Sequence, residues 1–410
     1  ANTEVIDNVI SGNDQDGIRF SNEDVDGNRI IGNRIGTDAA GTTAIPNDIN
    51  GIRINAGDST EIGGDLPTEG NLISGNGGSG IQLTEKVEDT LIANNLIGTD
   101  AGGTADLGQA FNGIRIVGDV RRTTVQDNVI SGNDFNGIEL TDWISEPVGP
   151  SDTKIQGNLI GTDSFGEDPI GNGPSGVLVD STPNPGQPGN LVGGTLRNDT
   201  TGNCTGDCNV IANNGTEGVG VSEPARAVAI LGNDLHDNDD LGIDLYDVFK
   251  GPDVNDPGDP DTGANDFQNF PVIEASWSRT DPGLTGTWVT GRLDTEPATS
   301  YRIEFFNSDT FDPSGQGEGQ RLLGSFNVTT GNNGIARFGE KFAIATSGTS
   351  PISATATRLG AGGSAVATSE FSVNNYRICD ESGNNSDNSL TANGTGETLC
   401  GFGGDDLLKG

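Results

Sequence analysis

The chain has 410 residues, of which 60 are acidic and 21 are basic, so its formal net charge is −39. A surface with this charge repels nucleic acids and anionic membranes, and no stretch reaches the roughly 20 apolar residues of a membrane span. Glycine supplies 65 residues and aromatic residues only 5%, which excludes a helical bundle and favours short strands joined by turns. A chain of this length needs several domains or one elongated repeat.

Two short motifs alternate through the first part of the chain. Copies of ISGN begin at Ile10, Ile73 and Ile130, and copies of IGTD begin at Ile35, Ile97 and Ile160. Both series keep a period of about 60 residues, which is typical of stacked repeats. A weaker copy, TEIGGD from Thr60, predicts about three coils of roughly 20 residues in each period, and about eleven coils in all.

Each predicted coil contains short runs such as GIRI, GIQL, GIEL and GVLV, bounded by Gly, Asn and Asp. Their alternation of apolar and polar residues predicts strands with one face turned inward. Stacking equivalent strands would build parallel sheets around ladders of Ile, Val and Leu. Asn13, Asn76 and Asn133 recur at one corner, where we expect them to form a hydrogen-bonded ladder.

Over residues 1–250 this pattern resembles the right-handed parallel β-helix repeats of extracellular bacterial proteins, in the superfamily that includes pectate lyases and polygalacturonases. The resemblance implies an all-β chain that begins with a right-handed parallel β-helix solenoid. It also implies an extracellular or cell-surface location of bacterial type.

The catalytic motifs of such enzymes have no counterparts in this chain. Polygalacturonases carry Gly-His-Gly with paired aspartates, whereas the sole histidine, His236, lies in LHDND. Two sets of charged residues recur instead, namely Arg19, Arg53 and Arg115, and Asp38, Asp100 and Asp163 of the IGTD motifs. Because an active site is used once, repetition favours outward-facing ladder positions for the arginines. For the aspartates it favours turn or capping roles, with a cation-binding edge as the alternative. The sequence therefore predicts no catalytic residue.

Residues 251–270 are rich in Pro, Asp and Gly and are predicted to form a linker. The oxygen ligands at short spacing are Asp256, Asp259, Asp261, Asn265 and Asp266. With Gly263 available for a turn, this set predicts a calcium-binding loop. An acidic linker without a metal is the alternative, since the closing glutamate of an EF-hand loop is absent.

Residues 271–375 lose the repeat and show about seven alternating runs, which predicts an antiparallel β-sandwich of immunoglobulin-like type. Trp277, Trp288 and Phe305 are expected in its core. Residues 376–410 are polar and end in GFGGDDLLKG, which resembles the start of an RTX calcium-binding repeat with Asp405 and Asp406 at its acidic positions.

The four cysteines form two local pairs, Cys204 with Cys208 and Cys379 with Cys400. An even number with close partners predicts disulfides formed in an oxidising compartment. Zinc binding is the alternative, which the single histidine and the wide separation of the pairs disfavour.

The first functional hypothesis is a secreted or cell-surface structural or adhesive protein that associates with itself or with a neighbouring surface protein. The repeat begins without an evident capping helix, so exposed strand edges could join subunits end to end into filaments. The alternatives are a polysaccharide-active enzyme of the β-helix class (lyase, hydrolase or epimerase) and a non-catalytic glycan-binding module.

Overall fold

A computed structural model describes residues 2–21, 26–143, 148–197, 204–248, 250–280, 285–347 and 350–373, together with four short strands between residues 381 and 409. The chain forms a parallel β-helix followed by an antiparallel β-sandwich, as the sequence predicts. Among the described residues, no helix is long and apolar enough to cross a membrane.

Three parallel sheets of eight strands each form the solenoid. Sheet A contains β1 (Glu4–Ile6), β4 (Arg29–Ile31), β7 (Glu61–Gly63), β10 (Leu91–Ala93), β13 (Thr124–Gln126), β16 (Lys154–Gln156), β19 (Asn190–Gly193) and β22 (Val228–Leu231). Sheet B contains β2 (Val9–Ile10), β5 (Arg34–Ile35), β8 (Leu72–Ile73), β11 (Leu96–Ile97), β14 (Val129–Ile130), β17 (Leu159–Ile160), β20 (Val210–Ala212) and β23 (Asp234–His236). Sheet C contains β3 (Ile18–Phe20), β6 (Ile52–Ile54), β9 (Ile81–Thr84), β12 (Ile114–Val117), β15 (Ile138–Thr141), β18 (Val177–Val179), β21 (Val219–Ser222) and β24 (Ile243–Tyr246).

The solenoid therefore has eight coils, and the prediction of about eleven is wrong. The ISGN and IGTD motifs occupy the same sheet B position in successive coils, since β2 pairs with β5 and β5 with β8. One period of the sequence thus spans two coils. At ~4.8 Å per coil, the stack is about 35 Å high.

Columns of aliphatic side chains fill the interior, as predicted. The sheet B column consists of Ile35, Ile73, Ile97, Ile130, Ile160, Ile211 and Leu235, each at most 1% exposed. The first coil is less covered, since Ile10, its residue in this column, is only half-buried. Burying each such side chain contributes about 1.5–3 kcal/mol, so the stacked columns are a main source of stability.

Two ladders of amide side chains run along the corners. Between sheets A and B, each Asn side-chain amide donates to the next Asn carbonyl at 2.9–3.2 Å, through Asn8, Asn33, Asn71, Asn95, Asn128, Asn158, Asn209 and Asn233. The second ladder contains the predicted Asn13, Asn76 and Asn133, which bond through Asn47, Gln109 and Asn172. The predicted structural role of these asparagines is confirmed.

The sandwich has seven strands in two antiparallel sheets. One sheet has the order β25 (Val272–Arg279), β26 (Gly286–Asp294), β29 (Ile335–Phe342), and the other has the order β28 (Arg321–Thr329), β27 (Ser300–Asn307), β30 (Ile352–Leu359), β31 (Ala365–Thr368). Short 3-10 helices lie at Pro67–Glu69, Ala264–Phe267 and Ala361–Gly363.

The expected aromatic core of the sandwich is confirmed only for Phe305, which is fully buried. Trp277 and Trp288 are half-buried and lie outside both apolar clusters, so their prediction as core residues is wrong. They pair across β25 and β26, with ring centroids 6.3 Å apart. Trp288 alternates with buried Val289 and therefore faces outward, where the Lys341 ammonium lies 4.7 Å from its ring.

The sandwich packs against the last coil of the solenoid. Phe306, Leu322 and Phe371 belong to the same buried cluster as the aliphatic columns of the solenoid. Leu235 of β23 exchanges backbone hydrogen bonds with Gly319 at 3.0 and 3.1 Å. The core of the solenoid thus continues into the sandwich.

Of the predicted disulfides, Cys204–Cys208 is present, whereas Cys379 and the side chain of Cys400 lie outside the described residues. The four tail strands are β32 (Glu381–Ser382), β33 (Ser389–Thr391), β34 (Leu399–Cys400) and β35 (Leu407–Lys409). β32 pairs with β34 and β33 with β35, both in parallel.

Candidate functional site

A groove lies along the turns that follow sheet C, and we call it the Trp143 groove. It has a volume of about 740 Å³ and is lined by residues 55–58, 85–86 and 118–119, by Trp143, and by Asp26, Val148 and Asn184. The first four of these segments follow β6, β9, β12 and β15, which are neighbours in sheet C. Sheet C therefore positions four of the segments that line the groove.

Hydrogen bonds fix the carboxylates of the groove. The Asp26 carboxylate accepts a hydrogen bond from the Asp58 N–H at 3.0 Å, and the Asp58 carboxylate accepts one from the Glu88 N–H at 3.0 Å. Asp119 receives two hydrogen bonds of 2.7 Å from the Arg121 guanidinium. Their positions are set before any ligand arrives, which lowers the entropic cost of binding.

The indole of Trp143 supplies an apolar surface in this polar groove. Trp143 is 37% exposed. Its ring lies against Gly118, where a Cβ atom would come within 3.0 Å of the ring. A flat apolar ring beside acceptor oxygens suits a ligand that combines C–H faces with hydroxyl donors.

The acidic linker brings together three of its five predicted ligands. Carboxylate oxygens of Asp256, Asp259 and Asp261 lie within 4.8 Å of one another. Burial raises the pKa of Asp259 to about 6, although hydrogen bonds from Thr295 and Asn269 oppose the shift. One Asp256 oxygen is buried without a hydrogen-bond partner among the described residues. Such an arrangement provides hard oxygen donors for a divalent cation.

The other predicted ligands have different contacts. Asn265 is buried and exchanges hydrogen bonds with the Val228 backbone at 2.8 and 3.0 Å. Asp266 forms ion pairs of 3.3 Å with Arg226 and with Arg358. Asp405 and Asp406 lie outside the described residues.

The recurrent charged residues have the structural positions that their repetition predicts. Arg53 is the sheet C neighbour of Arg19, and Arg115 lies in the same row beyond Gln82. The Asp38 carboxylate accepts hydrogen bonds from the Thr42 and Thr43 N–H groups, and the Thr42 bond lowers the pKa of Asp38. Asp100 and Asp163 cap the equivalent turns, so these aspartates do have turn roles.

Sequence reasoning missed two buried carboxylates at sheet C, Asp244 on β24 and Glu217 just before β21. Glu217 accepts hydrogen bonds of 2.7 Å from Lys250 and Ser175, and its pKa is lowered because these bonds outweigh burial. Burial, with the charge of Glu217, raises the pKa of Asp244 to about 7. The sequence signal that could have identified both residues is that the late coils depart from the repeated ISGN and IGTD motifs. Both residues have no exposed surface, so they form a structural network closed to substrate.

The sole histidine lies between two acidic side chains, which fits a structural role. His236 Nδ1 lies 2.8 Å from an Asp237 oxygen, and Nε2 lies 3.9 Å from an Asp234 oxygen. Its side chain is 20% exposed and lines a cavity of about 380 Å³ between the last coil and the 308–320 loop of the sandwich. These contacts orient the imidazole.

No known protein family and no curated protein matches the sequence. Among solved structures, the chain is similar to the enzymatically active domain of tailspike protein 2 of Bacteriophage CBA120, with 11% identity and a TM-score of 0.22, over 84% of this chain and 57% of that one. It is also similar to a mutant tailspike protein of the E. coli bacteriophage HK620 in complex with a hexasaccharide, with 10% identity and a TM-score of 0.16, over 90% and 66%. The chain thus spans little more than half of the first neighbour. At these values neither likeness bears on the function of this chain.

Proposed function

We propose that this protein is an extracellular or cell-surface adhesive scaffold that binds a glycan in the Trp143 groove. The observation that carries the proposal is the exposed indole of Trp143 among carboxylates fixed by hydrogen bonds. The apolar face of a sugar ring would pack on the indole, and its hydroxyl groups would donate to Asp58 and Asp119. Such combined contacts are typical of small-ligand sites.

The charge of the groove favours a neutral glycan over a polyuronate. Four carboxylates line the groove together with one lysine, Lys86; the carboxylates are those of Asp26, Asp58, Glu85 and Asp119. The net charge of −39 adds a repulsive field for any polyanion. We therefore expect affinity for neutral oligosaccharides and none for polygalacturonate or alginate without added divalent cations.

The test is a screen of neutral gluco-, manno- and galacto-oligosaccharides, followed by titration calorimetry on the tightest of them. Trp143→Ala should weaken binding by at least about tenfold, because it removes the apolar platform. Trp288→Ala is the matched control, since it removes a half-buried indole from the sandwich and leaves the groove intact. Unchanged binding in Trp143→Ala, or loss in Trp288→Ala alone, would contradict the proposal.

The same oligosaccharides distinguish adhesion from catalysis. If the protein only binds the glycan, incubation followed by an assay for reducing ends and for unsaturated products should show no turnover. Turnover that is lost in Asp58→Asn or Asp119→Asn would instead favour a polysaccharide-active enzyme.

Other parts of this proposal concern the remaining regions. Calcium would bind at Asp256, Asp259 and Asp261. The seven-strand arrangement supports an immunoglobulin-like classification of the sandwich.

Parallel pairing of tail strands 18 residues apart, such as Glu381 with Leu399, supports an RTX-like tail, because two nine-residue repeats make one coil. Self-association into filaments would have to use the sandwich surface, since the sandwich covers the last coil.

A further inference from the structure

The last coil of the solenoid has three strand edges that a ninth coil would normally pair. Side chains of the sandwich and the linker bond to these edges instead. The Gly232 N–H after β22 donates to Glu304 at 2.8 Å, Asn238 after β23 donates to Glu318, and the Leu245 N–H of β24 donates to Glu370 at 3.1 Å. Three buried glutamates thus replace the acceptors of a missing coil.

Glu318 occupies the place of an asparagine in the second amide ladder. That ladder runs from Asn172 through Asn214 to Asn238, with side-chain bonds of 3.0 and 2.9 Å. The Asn238 side chain then donates to Glu318 Oε1 at 2.9 Å, and the Asn238 N–H donates to the same oxygen at 3.3 Å. A carboxyl group can accept these bonds as an amide does, but it can also ionise.

We propose that the sandwich is a pH-responsive cap, which holds the last coil closed while Glu318 and Glu370 are protonated and loosens as they ionise. This inference is independent of glycan binding. Glu304 differs from these two, because its other oxygen accepts a 2.9 Å bond from the Arg302 guanidinium, whose positive charge opposes the rise in pKa that burial causes.

The surroundings of both glutamates oppose a negative charge. Burial, with the charge of Asp312, raises the pKa of Glu318 to about 8, although the bonds from Asn238 oppose the shift. Burial, with the charges of Asp253 and Asp244, raises the pKa of Glu370 to about 9, although hydrogen bonds from the Leu245 and Asp253 N–H groups oppose the shift. The other titratable groups facing the Glu318 cavity are His236, Asp237, Asp239 and Asp309.

The sign of the effect follows from these directions. A glutamate released to water titrates near its ordinary pKa of ~4.3, so the released state loses its proton at lower pH than the docked state. Docking is therefore strongest in acid. It weakens as pH rises from about 4.5 towards 8 for Glu318 and towards 9 for Glu370, and it weakens no further above those values.

The experiment is hydrogen exchange on the full chain between pH 5 and pH 9, expressed as protection factors that remove the intrinsic effect of pH. The Leu235 and Leu245 amides donate to the sandwich and report opening of the cap, whereas the Ile116 amide lies in the middle of the solenoid. In the wild type, protection at Leu235 and Leu245 should fall at least tenfold more than at Ile116.

Glu318→Gln is the decisive variant, because its amide oxygen can accept both bonds from Asn238 and cannot ionise. It should reduce the pH dependence at Leu235 by at least tenfold between pH 5 and pH 8. Glu340→Gln, at an exposed position on β29, removes the same charge and should leave the dependence unchanged. His236→Asn removes the imidazole of the cavity and should also leave the dependence unchanged.

Glu370→Gln keeps the proposal testable if Glu318→Gln fails to fold. It should flatten the pH dependence at Leu245, even if it lowers the protection at every pH. Equal slopes in the wild type and in either folded glutamine variant would overturn the proposal. A slope abolished by His236→Asn would overturn it as well.

Discussion

At the scale of single residues, each asparagine of the first ladder satisfies several buried backbone groups. Asn128 donates to the Ile92 carbonyl at 2.9 Å and to Asn158 at 3.0 Å, and it accepts from the Asn95 N–H at 2.9 Å. Asn128→Ala should lower the free energy of unfolding by about 2–4 kcal/mol, because the cut bonds leave buried polar groups unpaired. Urea unfolding followed by circular dichroism measures this change.

Asn13→Ala is the control for position within a ladder. Asn13 bonds to Asn47, but it lies at the exposed first coil. Water can replace its bonds, so we expect a cost below about 1 kcal/mol. Equal losses in Asn13→Ala and Asn128→Ala would show that burial of the ladder does not determine its contribution.

The same residue scale shows where sequence reasoning succeeds. Repetition identified Asn13, Asn76 and Asn133, because stacked coils must place equal residues at equal positions. It gave no information on Trp143, which occurs once and whose exposure depends on the turns of neighbouring coils. Strand alternation alone does not say which face of a sandwich sheet is the core, and Trp288 was assigned to the wrong one.

At the scale of elements, the number of coils was missed because the turns alternate in length. Sheet B and sheet C strands are joined by short turns after ISGN, such as residues 11–17, and by long turns after IGTD, such as residues 36–51. The long turns contain an antiparallel bridge, for example Thr37 with Ala44. When only the residue count is used, a period of about 60 residues fits three coils of about 20 residues as well as it fits one short coil and one long coil.

The linker is the element whose chemistry is easiest to test. Asp259 has a raised pKa of about 6, so a cation must displace its proton below that pH. Calcium should therefore bind more tightly at pH 7.5 than at pH 5 and should raise Tm at millimolar concentration. Calorimetry at the two pH values measures the first effect, and a thermal scan with calcium or with a chelator measures the second.

Asp259→Asn should abolish the calcium-dependent rise in Tm, because it removes a charged donor from the cluster. Asp134→Asn removes an exposed carboxylate from the solenoid and should retain the rise. The linker is a plain acidic turn if wild type and Asp259→Asn respond identically to calcium.

At the scale of the whole molecule, solenoid and sandwich form one continuous core, so neither part should be independent of the other. A chain that ends after Lys250 would expose the edges of β22, β23 and β24 and the apolar surface that Phe306, Leu322 and Phe371 cover. Unpaired parallel edges beside apolar surface are templates for association. We expect this shortened chain to form oligomers with a frayed last coil, as measured by size-exclusion chromatography with light scattering.

A chain that ends after Val373 is the matched control, because it loses the tail and keeps the sandwich. Its number of subunits and its Tm should equal those of the full chain. If the chain ending after Lys250 is instead a monomer with unchanged Tm, then the apolar contact with the sandwich contributes nothing to the solenoid. A monomer would also show that the exposed edges of β22, β23 and β24 do not join subunits, which would remove support from end-to-end assembly of solenoids through this coil.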